Sequence, residues 1–258
     1  MVGSQFARYP SLDGMPVVIS GGASGIGETL VREFAAQGAK VGFVDIVADK
    51  GEALAAELVG AGQTAKFTRC DITDVAAYQA AIGGFEAAHG SALALVNNAA
   101  NDTRIAWNEV TPEAWDKASA VNLRHAFFAA QAVIPGMIRA GKGSIINFGS
   151  ISWMIMTGNL TAYTASKAAA HGMSRSLARD LGPHGIRVNT LAPGWVMTER
   201  QLTHWVDDAA NALIDSTQAL KGRVYPPDIA RMAMFLAADD SQMISAQDFI
   251  VDGGWAHG

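Results

Sequence analysis

Short β-branched or aromatic runs alternate along this chain with longer segments of helical period, and that alternation restricts the fold more than any other feature. The candidate strands are residues 17–20, 41–45, 65–70, 92–97, 144–149, 187–192 and 249–252. Between the first two, Ile26, Leu30, Val31 and Phe34 share one helical stripe, and Gly38 follows as a left-handed stop. Thr111 before Pro112 is a second helix start, because the Thr oxygen can cap free N–H groups and the ring presets the first helical φ. That helix is expected to carry Val121, Asn122 and Leu123. The pattern predicts an α/β fold: a doubly wound parallel sheet of about seven strands with helices on both faces.

A chain of 258 residues suits one such unit, and no linker rich in Gly/Ser or Pro, low-complexity tract or repeat divides it. Residues 1–258 are therefore expected to form a single domain. Two excursions, 150–161 and 193–227, break the alternation; the second contains Trp195, Trp205, Lys221 and Arg223 and is expected to be a substrate loop or lid. Cys70 is the only cysteine, which removes an internal disulfide, a four-thiolate zinc site and an iron–sulfur cluster, and fits a reducing cytoplasm. No apolar run reaches the ~18 residues that span a bilayer, and the first residues lack the apolar core of a signal peptide, so no membrane partner is expected. Nineteen basic against 24 acidic residues, with no Lys/Arg block, argue against a nucleic-acid partner and leave a small molecule as the expected ligand. The six histidines, at 89, 125, 171, 184, 204 and 257, include no pair three or four apart, so no metal site is expected; His125 is read as a packing or surface residue.

Ser20-Gly21-Gly22-Ala23-Ser24-Gly25-Ile26-Gly27 lies where the first strand passes into the first helix, the setting of a dinucleotide-binding turn in a Rossmann-type fold. Glycines let the backbone approach a pyrophosphate, and the helix N-terminus offers it free N–H groups and partial positive charge. The spacing resembles the T-G-x-x-x-G-x-G turn of the short-chain dehydrogenase/reductase family, with Ser20 in place of Thr. Asp45 ends the second strand eighteen residues after Gly27, where a carboxylate can accept from ribose hydroxyls and repel a 2′-phosphate. No Lys or Arg lies in the turn or in the four residues after Asp45, so NAD is expected rather than NADP; a strand-ending cap is the alternative reading of Asp45. The resemblance further implies coenzyme contacts from Gly21, Ser24, Gly25, Ile26 and Gly27, and from Asp71 on the adenine with Ile72 beside it. It adds Asn98 in the N-N-A-G-like Asn97-Asn98-Ala99-Ala100, and Pro193, Gly194, Val196 and Thr198 on the nicotinamide side.

Tyr163 and Lys167 stand four apart in a segment of strong helical period, so both project from one face and can meet at a ligand. With Ser150 at the end of the fifth strand and Asn122 on the preceding helix, they resemble the Asn/Ser/Tyr/Lys tetrad of the same family. The resemblance implies a base (Tyr163), a residue that holds the substrate oxygen (Ser150), a cation that also grips the nicotinamide ribose (Lys167) and an anchor for a proton-carrying water (Asn122). Chemistry asks for these types: a phenol with pKa near 10 is a poor base at neutral pH, and a nearby positive charge favours its phenolate. Taken singly, Ser150 can be a turn residue, Asn122 a helix-bend anchor and Tyr163 a packing residue.

Beyond the tetrad, Tyr9-Pro10-Ser11-Leu12, Asn101-Asp102-x-Arg104, Val121-Asn122-Leu123-Arg124-His125, the segment Asn147 to Trp153 and Leu220-Lys221-Gly222-Arg223 resemble bacterial aldose 1-dehydrogenases. That implies removal of hydride from the anomeric carbon of a cyclic sugar to give the lactone. Asn101, Ser152, Asn159, Arg200 and Gln201, with Ser150 and Tyr163, are candidates to meet sugar hydroxyls, and Trp153 or Trp195 to cover an apolar sugar face. Met154-Ile155-Met156 points instead to a hydrophobic ketoacyl or steroid substrate, and Arg200 to an anionic or sulfonated sugar. A non-catalytic NAD-binding module is the alternative of another class. The family resemblance implies a homotetramer, with Ala168–Ala170 and Trp255 compatible with subunit contacts.

Overall fold

The computed structural model describes residues 7–256, so His257 and the first six residues of the expected domain lie outside it. Seven parallel strands, β1 (Pro16–Ser20), β2 (Lys40–Asp45), β3 (Ala65–Arg69), β4 (Ala94–Asn97), β5 (Gly143–Phe148), β6 (Ile186–Pro193) and β7 (Asp248–Val251), form one sheet in the order β3-β2-β1-β4-β5-β6-β7. Each expected strand is present with ends shifted by at most two residues. The largest shift is at β4, whose Leu93 still donates to Pro16 and accepts from Ser144.

The helices are α1 (Gly25–Ala36), α2 (Ala48–Gly60), α3 (Val75–His89), α4 (Pro112–Ser119), α5 (His125–Ala140), α6 (Thr161–Leu181), α7 (Glu199–His204), α8 (Asp208–Thr217) and α9 (Pro226–Ala237). Strand side chains alternate between two cores. Val17, Ile19, Val41, Phe43, Val96 and Ile146 pack with Leu30, Val31 and Phe34 of α1 and Ile229, Ala233 and Met234 of α9. Val18, Val44, Leu95, Ile145 and Val188 pack on the other face with Tyr78, Ile82 and Phe85 of α3 and Ala129, Val133 and Met137 of α5. A sheet covered on both faces needs apolar residues at consecutive positions, which is why its central strands β1 and β4 read as nearly continuous hydrophobic runs, whereas the end strand β3, Ala-Lys-Phe-Thr-Arg, alternates.

Local signals behave as their chemistry requires. Gly38 follows α1 at φ +88°, and the Thr111 hydroxyl accepts from the Ala114 N–H at 3.2 Å. The helix opened there is not uniform: between α4 and α5, Ala120–Arg124 winds as a wider π-helical turn that carries Asn122. The 150–161 excursion holds a short 3₁₀ turn at Ile151–Trp153. It also holds two non-glycine residues at positive φ, Met156 (56°) and Asn159 (58°), conformations that cost ~1–3 kcal/mol each. The expected loop at 193–227 contains α7 and α8, each opened by a side-chain cap from Thr198 and Asp207. Strand order reverses between β1 and β4, and the crevice this leaves at the carboxyl ends of the strands is where an α/β sheet binds its ligand.

Candidate active site

A cleft of about 1070 Å³ runs along the carboxyl edge of the sheet, lined by Gly21, Ser24, Gly27, Asp45, Asp71 and Ile72 and also by Asn98, Tyr163 and Thr198. The turn that forms its floor is built for close approach. Gly21 sits at φ +70°, and a β-carbon on Gly27 would lie 1.7 Å from the Gly21 carbonyl oxygen. The Asn98 amide clamps the turn by donating to the Ser20 and Gly21 carbonyls at 3.0 and 3.1 Å, and the Ser20 hydroxyl accepts from the Ala99 N–H. Gly25 lies against Thr198. Asp45 spans two roles: Oδ2 accepts from the Ala23 N–H at 3.0 Å and Oδ1 from Val47 at 3.1 Å, so the carboxylate is fixed beside the turn and also ends its strand. Asp71 is drawn into a local turn by Thr73, whose N–H and hydroxyl hold its carboxyl below the usual range.

A second, smaller cavity of about 240 Å³ adjoins the cleft and shares Ile26, Asn98, Leu160, Tyr163 and Thr198 with it. Ser150, Ser152, Tyr163, Lys167, Pro193, Gly194, Trp195, Val196 and Gln201 meet on its wall. Lys167 is 2% exposed, with Nζ donating to the Phe148 carbonyl at 2.8 Å and lying 5.7 Å from the Tyr163 ring centroid. Burial pulls its pKa down to about 8. Burial pushes the Tyr163 phenol up to about 12; the hydrogen-bonded Ser150 hydroxyl works against that rise and the Asp102 carboxylate adds to it. Burial dominates, and the ammonium is directed to the Phe148 carbonyl.

α6 is tied to the sheet by a buried polar chain. Asn97 donates to Asn147 at 2.9 Å, Asn147 to the Ser174 hydroxyl at 2.9 Å, and Ser174 to the Ala170 carbonyl. Asn122 lines neither cavity. Its amide is used up on backbone, with Oδ1 accepting from the Asn101 N–H at 2.8 Å and Nδ2 donating to the Asn101 and Ala118 carbonyls. Asn122 therefore positions the loop after β4. His125 packs against Tyr78, and burial pulls its imidazole down to about 3, so it stays neutral.

Among the substrate candidates, Ser152 contributes a buried hydroxyl with no protein partner. Asn101, Asn159 and Arg200 line the larger cleft. Trp153 lies outside both cavities because its indole N–H donates to His171 Nε2 at 3.3 Å, and His171 in turn pairs with Asp248. The aromatic wall comes instead from Trp195 and Trp255, with ring centroids 6.3 Å apart. Trp255, which the sequence makes compatible with a subunit contact, lies beside Trp195 after a turn in which Gly253 and Gly254 stand at φ +69° and +82°. Asp102 and Arg104 also line the smaller cavity, and the motif Asn101-Asp102-x-Arg104 was the signal available for them. No described helix is long and apolar enough to cross a membrane. Among the described residues no cluster of three or more His, Cys, Asp or Glu is placed to hold a metal.

A doubly wound sheet with a glycine turn at its crevice and Ser, Tyr and Lys gathered beyond it defines a nicotinamide-coenzyme oxidoreductase. A family model described as enoyl-(acyl carrier protein) reductase matches residues 21–256. The chain is 45% identical over 249 residues to a D-xylose 1-dehydrogenase of Caulobacter vibrioides, covering 96% of this chain and 98% of that protein. It is 43% identical to a probable galactose dehydrogenase of Rhizobium meliloti, covering 96% and 97%. Among solved structures it resembles a gluconate 5-dehydrogenase from Burkholderia cenocepacia in complex with NADP and tartrate, with TM-score 0.90, 31% identity and coverage of 96% and 98%. The chain belongs to the short-chain dehydrogenase/reductase family.

Proposed function

We propose that this protein oxidises a cyclic aldose at its anomeric carbon with NAD, giving the sugar lactone. The observation that carries the reading is the convergence of Ser150, Tyr163 and Lys167 on a small cavity that adjoins the cleft containing Asp45. The residues fit a dinucleotide: the Gly21–Gly27 turn leaves backbone where a β-carbon would intrude. The fixed Asp45 carboxylate has Gly21, Ser24, Ile46 and Val47 beside it on the cleft wall and no basic side chain among them, which favours NAD over NADP. When bound, the oxidised nicotinamide supplies the hydride acceptor and a positive charge beside the phenol. Ser150 holds the anomeric hydroxyl, Tyr163 takes its proton, and Lys167 grips the ribose and favours the phenolate. The cavity volume falls below the ~300 Å³ at which pockets for drug-sized ligands begin, and it mixes hydroxyl, amide and carboxylate groups with two indoles, which suits a monosaccharide better than a steroid. The relatives named for xylose and galactose support the same substrate class.

In this reading residues 193–227 are the substrate lid of a single domain spanning 1–258, and the protein works as a cytoplasmic homotetramer, a state compatible with the place of β7 at one end of the sheet. Initial rates at 340 nm with D-xylose, L-arabinose, D-galactose and D-glucose, using NAD and NADP, test the proposal. NADH is expected from at least one sugar, and Tyr163→Phe should lower kcat by about 10²-fold or more while NADH still binds. Sugars that stay inert while acyl or sterol ketones react would overturn the substrate class.

A further inference from the structure

We infer that Asp102 grips the sugar: its Oδ2 accepts a hydrogen bond from a ring hydroxyl of a substrate lying against Ser150 and Tyr163. The inference rests on the aldose reading and names the residue through which it selects a polyol. Asp102 lines the smaller cavity together with Ser150 and Tyr163. An ionised carboxylate has about four acceptor sites. Arg200 fills one on Oδ1 through Nε at 3.2 Å, with Nη2 in ion-pair range of the same oxygen, and Gln201 fills one on Oδ2 at 2.8 Å. One acceptor site on Oδ2 is left for a hydroxyl, and a bond to a charged acceptor is among the stronger kinds.

The carboxylate is held from both sides. Its neighbour Asn101 has backbone N–H and carbonyl bonded to the Asn122 amide at 2.8 and 3.1 Å. On the lid side, Gln201 accepts from the Trp195 indole at 3.0 Å, so the ring that faces the sugar and the group that grips it are set by one chain of bonds. The Asp102 side chain is 25% exposed and Arg200 54%, which makes the carboxylate the more sheltered partner and the arginine its outer clasp. Arg200 and Gln201 thus serve the substrate by orienting Asp102.

Asp102 also bears on the base, because its charge opposes formation of the Tyr163 phenolate. The other groups that bear on the phenol are Lys167 from the same helix and Ser150 from the end of β5, with Arg104 on the cavity wall. Asp102→Asn should therefore do two things at once. With D-xylose or D-galactose, KM should rise about tenfold, equivalent to ~1.4 kcal/mol, while the NADH dissociation constant from fluorescence titration stays as in the wild type. The acid limb of kcat/KM should move to lower pH, a change that simple loosening of the cavity does not produce. Gln201→Leu, which removes the bond to Oδ2 without touching the charge, should raise KM and leave the limb in place. An unchanged KM in Asp102→Asn, or an acid limb that stays or moves up, would overturn the inference and leave the aldose reading standing. A wild type that oxidises no aldose refutes that reading and this inference with it.

Discussion

Replacing Lys167 by Met separates the cost of burying its charge from every other contribution of the residue. Lys167 is 2% exposed, and burial brings its pKa from 10.5 to about 8. Between those values the folded chain binds fewer protons than the unfolded one, so folding becomes more favourable as pH rises. At about 1.36 kcal/mol per pKa unit, the gap corresponds to ~3 kcal/mol, carried in full as a penalty below pH 8 and relieved on the way to 10.5. Methionine keeps the length and removes the charge. It also forfeits the bond to the Phe148 carbonyl, but a neutral amine still donates that bond, so the loss is common to both ends of the pH range. Urea unfolding of the coenzyme-free wild type and Lys167→Met at pH 7 and pH 10 should show the wild type gaining roughly 2–3 kcal/mol on the variant at the higher pH. An equal stability difference at both pH values would refute the account of Lys167 as a buried, strained cation.

Two further substitutions probe the coenzyme end. Asp45→Ala should erode the preference for NAD over NADP by about tenfold or more in kcat/KM, because it removes the charge that opposes a 2′-phosphate; unchanged coenzyme selectivity would count against the role of Asp45. Gly27→Ala puts a β-carbon where the Gly21 carbonyl oxygen now lies 1.7 Å away, so the turn must deform. NADH affinity, measured by fluorescence titration, should fall by more than tenfold, and full affinity would show that the turn has room to spare.

The central strands were legible because a sheet buried on both faces leaves a nearly continuous apolar record in the chain, and the largest shift of an end came where Leu93 bonds like a strand without being classed in one. The Tyr163 and Lys167 pairing was legible for a similar reason: helical spacing alone brings the two to one face. Trp153 was misplaced because periodicity is silent in the 150–161 segment, and the partner that turns its indole away, His171, is eighteen residues on. Asn122 was placed on the right helix, yet the bonds that occupy its amide depend on a backbone segment twenty-one residues upstream. Asp102 shows the same limit, since its partners lie ninety-eight and ninety-nine residues later in the lid.

The widened turn at Ala120–Arg124 makes the stretch from α4 through α5 sensitive to length rather than to composition. A π turn holds one surplus residue, and each residue of an α-helix advances the phase by ~100°. Shortening the segment by a single amino acid would restore regular winding with α4 and α5 in nearly their present phase, but draw in the bulged turn and carry Asn122 away from the Asn101 backbone it braces. An alteration that removes no charge and empties no core position would thereby unseat the wall of the sugar cavity, so insertions and deletions here are expected to be tolerated less well than most substitutions.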